Sequence, residues 1–496
     1  MKRRDFCKSA VMGSAMATLP ASLMQAFAAE PAAPAAVELQ AVTSSGKPTL
    51  ISASVVKDFA ARLRGRLLSA SDPDYDQARR LWNKMIDRRP ALIARCSGAA
   101  DIVRAVSFAR EHELLLAVRG GGHSFPGYSM CEGGLVIDLS AMHSVRVDPI
   151  ARTAQVAGGA WIGDLDWEAQ QYGLATTMGE ISNTGVAGLT LGGGYGWLSR
   201  LHGLACDNLL SVDLITADGT LRRVSATDNP DLLWAIRGGG GNFGVVSSFE
   251  YRLHRVGPKV LAGNLIYAPA QTRDALQYYS HFATSTPREL TVELSWGGAD
   301  GEDGDLTLAV CYVGDPAMGE KLLTPLRTSV KSRADTIGLQ DYVTVQRQFD
   351  GPPLASENQY LKGGFVAELT PALIDAIMNE VKPDALLNIE FVHCGGAISD
   401  VGPSATAIAH RREPFQLLVS ASWKEAADND ANRARIHAAW DKVSRFTSGF
   451  YVNLNSADQK AVDDNYGPNR ARLAALKRDY DPTNLFRLNA NIRPAA

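Results

Sequence analysis

A histidine closes the glycine turn Arg119-Gly120-Gly121-Gly122-His123-Ser124, and those residue types together can do two kinds of chemistry. Glycines free backbone N–H groups to converge on a phosphate, and an imidazole beside them can bond covalently to the group so held. Two further runs repeat the phosphate half of the pattern: Thr184-Gly185 through Gly188 to Gly192-Gly193-Gly194-Tyr195-Gly196, and Arg237-Gly238-Gly239-Gly240-Gly241-Asn242-Phe243-Gly244-Val245-Val246. Neither meets the dinucleotide fingerprint, which needs strand, GxGxxG, helix and a later acidic residue within one βαβ unit. A nicotinamide dehydrogenase is therefore disfavoured. Glycine loops spread over about 125 residues imply a cofactor wrapped along its whole length, and a flavin diphosphate fits.

The elements around these loops set their positions. Leu114 to Val118 reads as a buried strand feeding the first turn, Ala99 to Glu113 as a helix before it, and Ala160 to Tyr172 as a second helix packed through Trp161, Leu165 and Trp167. From Arg89 to about Val256 short strands alternate with glycine turns, the pattern of an α+β cofactor domain. Beyond Gly257 the pattern changes. Strands are expected at Leu290 to Trp296, Asp305 to Val313, Ala385 to Val392 and Phe415 to Trp423, with helices at Pro316 to Ser332, Thr370 to Val381 and Asn432 to Ser448. Antiparallel strands backed by helices would make a substrate lobe.

Composition suits an enzyme of this size: 496 residues, 46% hydrophobic and 21% charged, can bury a large core in two lobes. A net charge of −3 gives no reason to expect nucleic acid. Met1-Lys2-Arg3-Arg4-Asp5-Phe6-Cys7-Lys8 sets twin arginines before an uncharged stretch that ends in Ala26-Phe27-Ala28. This reads as a twin-arginine signal peptide cleaved after Ala28, with the translocase as a transient partner and a periplasmic or secreted destination. Gly, Ser and Pro20 leave the stretch too mildly hydrophobic for stable membrane insertion. Residues 29 to 49, rich in Ala, Pro, Ser and Thr, read as a linker. Cys96, Cys131, Cys206, Cys311 and Cys394 then remain, too widely spaced for a metal site, and no essential disulfide is expected.

Taken jointly, Arg119 to Gly127, Gly185 to Gly196, Gly203-Leu204-Ala205-Cys206-Asp207-Asn208 and Asp231 to Gly244 resemble the FAD domain of berberine-bridge-enzyme-like oxidases, in the vanillyl-alcohol-oxidase group. Tyr466-Gly467-Pro468-Asn469 through Tyr480-Asp481-Pro482-Thr483-Asn484-Leu485-Phe486 is similar to that family's C-terminal tail. The resemblance implies an α+β, two-lobed fold: a PCMH-type FAD-binding domain over 80–257 and a substrate-binding domain over 258–449, its antiparallel sheet backed by helices. A C-terminal segment, 450–496, would return to the first domain. Residues 1–28 would be the signal peptide, and 29–79 a linker and N-terminal segment.

The same resemblance implies that His123 is bonded to the flavin 8α-methyl. Many relatives add a cysteine bond at the position of Ile181, which cannot form one, so a single attachment is expected. Cys206 reads as an apolar packing residue. Arg119, Gly120, Gly121, Gly122, Ser124 and Gly127 would contact the diphosphate and ring, with Thr184, Gly185, Gly188, Gly192, Gly193 and Gly194 on the other side. Val246 would lie near the adenosine half and Asn453 near the ring. Thr184 occupies the family's oxygen-gating position, where a small β-branched residue goes with oxidases.

Above the flavin, the family points to Tyr195 as a phenol that polarises the substrate oxygen or shares its proton. A family glutamate is replaced by Gln416, and an amide cannot serve as a base although it can orient a hydroxyl. A family tyrosine is replaced by Leu454, leaving Tyr451 and Asn453 of that element. The base is left among Tyr195, Tyr451, Glu390 and His393, the last two as pocket residues on one strand. The expected activity is hydride transfer from a substrate alcohol, or less readily an amine, to covalent FAD, with O2 reduced to H2O2. Sugars, phenolic alcohols and secondary metabolites all suit it. A dehydrogenase passing electrons to a quinone or cytochrome, and a flavin-bearing sequestration protein, are the alternatives.

Overall fold

The computed structural model describes residues 38–297, 304–351, 357–455 and 458–496. The signal peptide and the first part of the linker lie outside the described residues.

Two small sheets carry the glycine loops. In one, Leu92–Arg95 and Leu116–Arg119 both run parallel to Leu135–Asp138 between them, and Arg66–Leu68 adds an antiparallel edge. Parallel strands bury both faces, so Leu92, Ile93, Ala94, Leu135, Val136 and Ile137 are all fully enclosed. Helices Ala53–Arg62 and Ala99–Glu111 cover this sheet through Phe59, Ile102, Val106 and Phe108. The second sheet is antiparallel, in the order Leu221–Ser225, Leu209–Ile215, Val245–Arg252, Thr153–Ala157, Val145–Asp148. The C-terminal helices Gln459–Tyr466 and Arg470–Tyr480 join its core through Val462, Tyr466 and Leu473. Lys477, fully buried, fixes them there: its ammonium donates to Asn242 O, Phe486 O and the Asp481 carboxylate.

The other lobe is one nine-stranded antiparallel sheet whose long centre runs Lys259–Tyr267, Leu306–Tyr312, Leu290–Trp296, Leu387–His393, Phe415–Trp423, Asn358–Val366. One face is sealed by helices Thr272–Ser285, Pro316–Ser329, Pro371–Ala376 and Asn429–Val443 over a core that includes Leu294, Phe391, Phe415 and Ile436. The other face turns toward the flavin-loop lobe. Arg200 bolts the two lobes together. Only 5% exposed, it donates to the carbonyls of Leu290, Cys394, Thr286 and Pro287 and to Thr286 Oγ1.

Two expectations are corrected. Residues 38–51 are no linker: Leu39–Val42 and Pro48–Ile51 pair as a hairpin that buries Ala41 and Ile51. Within the second glycine run, Val186–Gly192 forms a helix. Leu165 packs as expected in helix Ile162–Gln170, but Trp161 is 37% exposed and Trp167 60%.

Candidate active site

The two glycine loops expected to share a cofactor meet backbone to backbone. A Cβ built on Gly121 would lie 2.4 Å from both the Cα and the N of Gly185, so neither position admits a side chain. Gly120 faces Gly158 O and Ala187, which brings in the turn between strand Thr153–Ala157 and helix Ile162–Gln170. Three backbone segments thus converge on one seam, and Val246 borders it through its carbonyl against Gly158. Gly188 has open space where a side chain would stand. Arg119 and Ser124 brace the seam. The Arg119 guanidinium donates to Ala78 O and stands 3.7 Å from the Asp138 carboxylate, while Ser124 Oγ accepts from Tyr128 N. Gly127 N donates to Ser124 O, closing the same turn.

His123 projects from this seam. Trp82 stacks on its ring, centroids 4.1 Å apart, and Trp82 N donates to Gly122 O. The buried Nε2 has no hydrogen-bond partner. Burial pushes the imidazole pKa down to about 4, against a smaller raising effect from Asn183. A neutral imidazole with a free, enclosed nitrogen suits bonding to a cofactor carbon, because an unmade buried hydrogen bond costs about 1–3 kcal/mol unless something else fills the place. The loop of Thr184 is held by the lobe of the nine-stranded sheet: Asp350 accepts from Ser182 N and Oγ, and Asn183 Nδ2 donates to Gly351 O. Ile181 accepts a turn hydrogen bond from Thr184 N.

Tyr195, Tyr451 and Asn453 come together at the mouth. The Tyr195 and Tyr451 rings meet edge to face at 5.0 Å. Tyr451 Oη accepts from Gly194 N at 3.0 Å and from Asn453 Nδ2 at 2.7 Å. Gly192 is bare for this reason: a Cβ there would lie 2.1 Å from Asn453 Oδ1. Gly193 O and Gly194 O accept from Cys206 N and Ala205 N, and burial raises the Cys206 thiol far above its ordinary value. All five described cysteines are free and buried. Burial also raises Tyr195 and Tyr451, so both phenols keep their protons at neutral pH and act as donors.

Opposite them lies the inner sheet face. Side chains alternate along a strand, and cross-strand partners share a face. The pairs Ser295–Glu390, Val392–Gln416 and Gln416–Phe365 therefore place Glu293, Glu390, Gln416 and Phe365 on one side. Phe365 comes to 6.3 Å from the Tyr195 ring. Gln416 is buried, its amide 3.7 Å from Cys394 Sγ. Glu390 accepts from Asn388 Nδ2 and Ser420 Oγ, and burial raises its pKa.

The placing of His393 in the same pocket as Glu390 is corrected. Three residues along a strand reverse the face, so His393 lies in the core behind the sheet. Its Nδ1 accepts from Val292 N and its Nε2–H donates to Ala283 O, which commits both nitrogens and holds it neutral. Sequence reasoning missed Trp82, Asn183, Glu180 and Glu293. Glu180 precedes Ile181 directly, the one local signal available; its Oε1 is buried without a hydrogen-bond partner, and burial raises both carboxyls, Glu180 to about 7. Among the described residues no group of three or more His, Cys, Asp or Glu is arranged to hold a metal ion, and no helix is long and apolar enough to cross a membrane.

Comparison with known proteins agrees with this geometry. A profile described as FAD binding domain matches residues 90–225, and one described as Berberine and berberine like matches 450–493. An FAD-linked oxidoreductase of Dictyostelium discoideum is 31% identical over 445 residues, 89% of this chain and 97% of that protein. (R)-6-Hydroxynicotine oxidase of Paenarthrobacter nicotinovorans is 30% identical, covering 87% of this chain and 97% of its own. The solved structure of the berberine-bridge-enzyme-like 1 protein of Physcomitrella patens superposes with a TM-score of 0.81 at 25% identity, covering 88% and 99% of the two chains.

Proposed function

Since the chain belongs to the berberine-bridge-enzyme-like family of FAD-linked oxidoreductases, we propose that it is an oxidase of alcohols that carries its FAD covalently on His123 alone. One observation carries the attachment: the buried, unpartnered Nε2 of a neutral His123 beside converging glycine backbones. Ile181 offers no second bonding group, and the Cys206 thiol is held too high to supply one. Bound FAD supplies the acceptor for two electrons from the substrate carbon. The chain's own part is to hold and orient. Tyr195, and Tyr451 with its oxygen already accepting from Gly194 and Asn453, present protons to the substrate oxygen; the buried Gln416 amide, which is no base, lies on the facing sheet.

Gln416 in place of a carboxylate favours an alcohol over an amine, and Thr184, with valine's shape at the gating position, favours oxygen as acceptor. The twin-arginine start supports export to the periplasm or beyond with the flavin already inserted. A panel of sugar, benzylic, allylic and amine substrates tests the reading, with anaerobic flavin bleaching and peroxide release measured on each. Bleaching by an alcohol followed by peroxide on readmitting air is the expected result. Tight ligand binding with an unbleached flavin would make the protein a sequestration device, and reoxidation by quinone but not by air would make it a dehydrogenase.

A further inference from the structure

We propose that His410, oriented by Glu413, is the proton acceptor of the oxidation and takes the hydroxyl proton of the substrate at Nε2. The proposal rests on the alcohol-oxidase reading above and supplies the base that Gln416 cannot be. His410 lines the same cavity as Tyr195, Tyr451 and Phe365. Its ring stacks on Phe365, centroids 4.9 Å apart and planes 15° apart, and Phe365 in turn meets the Tyr195 ring.

Elimination within the cavity leaves one base. Among the described residues, the other ionisable side chains on its wall are Tyr195, Tyr451 and Tyr466, and burial raises all three, so each phenol keeps its proton at neutral pH. Asn465 is an amide whose oxygen already accepts from Phe450 N. His410 differs. Its Nδ1 lies 3.2 Å from Glu413 Oε1. Burial opposes ionisation of Glu413, but the hydrogen bond with His410 holds that carboxyl below the usual carboxylate range. A carboxylate only accepts, so the proton of the neutral imidazole sits on Nδ1 and Nε2 keeps its lone pair. No described residue hydrogen-bonds to Nε2. The chain is bare at Gly449 to admit the ring, since a Cβ there would lie 2.0 Å from Nε2.

A second observation marks the cavity as a place for a hydroxyl. Tyr466, 3% exposed, lines it with an Oη that has no hydrogen-bond partner. A buried donor left unpaired is costly, and an alcohol oxygen would accept from it while the alcohol's own proton passes to the imidazole. The segment that carries His410 is held on both sides. Arg411, fully buried, grips the Asp207 carboxylate at 2.7 and 2.9 Å, and Asn469 Nδ2 donates to the carbonyls of Pro403, Thr406 and Ala407. In the step, the substrate O–H proton passes to His410 Nε2 and the C–H bond breaks with its electron pair going to the family's oxidised flavin. The C–O bond becomes C=O, and the His410–Glu413 pair changes from one negative charge to none. The side chains of the pair, 19% and 20% exposed, reach water, to which the proton then returns.

The test uses the full-length flavin-loaded protein and its H410Q and E413Q variants, with flavin content read from the visible spectrum and anaerobic bleaching followed against alcohol concentration. H410Q should keep its flavin and its half-saturating alcohol concentration while the limiting bleaching rate falls about 100-fold or more. E413Q should fall between it and wild type. A smaller loss in the H410Q limiting rate would overturn the proposal. A wild type bleached by no alcohol would instead overturn the reading beneath it. Nitrogen NMR of histidine-labelled protein reads the orientation without turnover, the His410 signals being assigned through contact with the Phe365 ring. The wild type should carry the His410 proton on Nδ1, and E413Q should lose that preference. Should the variants not fold, the wild-type spectrum decides: a proton on Nδ1 supports the pair, and a proton on Nε2 removes it.

Discussion

Trp82 lies ring on ring with His123 at 4.1 Å and an interplanar angle of 24°, while its backbone N–H donates to Gly122 O one residue before the histidine. The indole therefore fixes the plane of the imidazole, and the Trp82 backbone amide holds the turn that carries it. Next to it, Asn83 Nδ2 donates to Gln359 O and Asn83 Oδ1 accepts from Gln359 N, so the lobe of the nine-stranded sheet holds the Trp82 segment in place. Trp82→Ala should lower the fraction of protein with covalently held flavin several-fold, and Trp82→Phe, which keeps a ring there, should retain most of it. Flavin fluorescence of the denatured band on a gel reads this directly; equal fluorescence in all three proteins would show that the stack does not orient His123.

Gly121→Ala should abolish flavin retention. Its Cβ would meet backbone atoms of Gly185 at 2.4 Å, and backbone cannot swing aside as a side chain can. Gly98→Ala is the control, since nothing lies within 4 Å of a Cβ at that position. The visible spectrum of each purified protein gives the comparison, and a yellow Gly121→Ala protein would contradict the convergence of the two loops.

Arg200→Met should cost on the order of 3 kcal/mol or more, because the carbonyls that Arg200 satisfies are buried and would lose their donor. Since Arg200 follows Tyr195 closely and joins the lobes, flavin bleaching should slow as well. Thermal midpoints measured on flavin-free and flavin-loaded protein separate the two effects.

Acid sensitivity should include a contribution from the stacked pair His202 and His254, whose rings are 3.7 Å apart. Burial holds His202 down at about 4, and burial with Arg252 and Arg152 lowers His254. An imidazole whose folded pKa is depressed contributes stability that is present above about 6.5 and lost as pH falls toward 4. Asp166 and Glu180, both raised to about 7, act in the opposite sense, contributing stability lost as pH rises from the ordinary carboxylate range through about 7. The diagnostic is therefore a difference: relative to wild type, His202→Phe should lose less thermal stability between pH 7 and 4.5.

Legibility in the sequence followed the range of the contacts. The glycine loops and His123 are local patterns, and strands Leu290–Trp296 and Phe415–Trp423 end where hydropathy alternation places their ends. The hairpin at Leu39–Val42 and Pro48–Ile51 was hidden because four-residue strands among Pro, Ser and Thr look like linker. Glu390 and His393 were read as one pocket, although their odd spacing on a strand already separates them. The stack of Trp82 on His123 is made only by tertiary packing, and no spacing in the chain announces it.

Absorption and peptide mass analysis of the denatured protein test the central claim most directly. Flavin absorbance should stay with the polypeptide and map to the single peptide that contains His123. Flavin released free into the supernatant, or a second modified peptide containing Cys206, would contradict single attachment through His123.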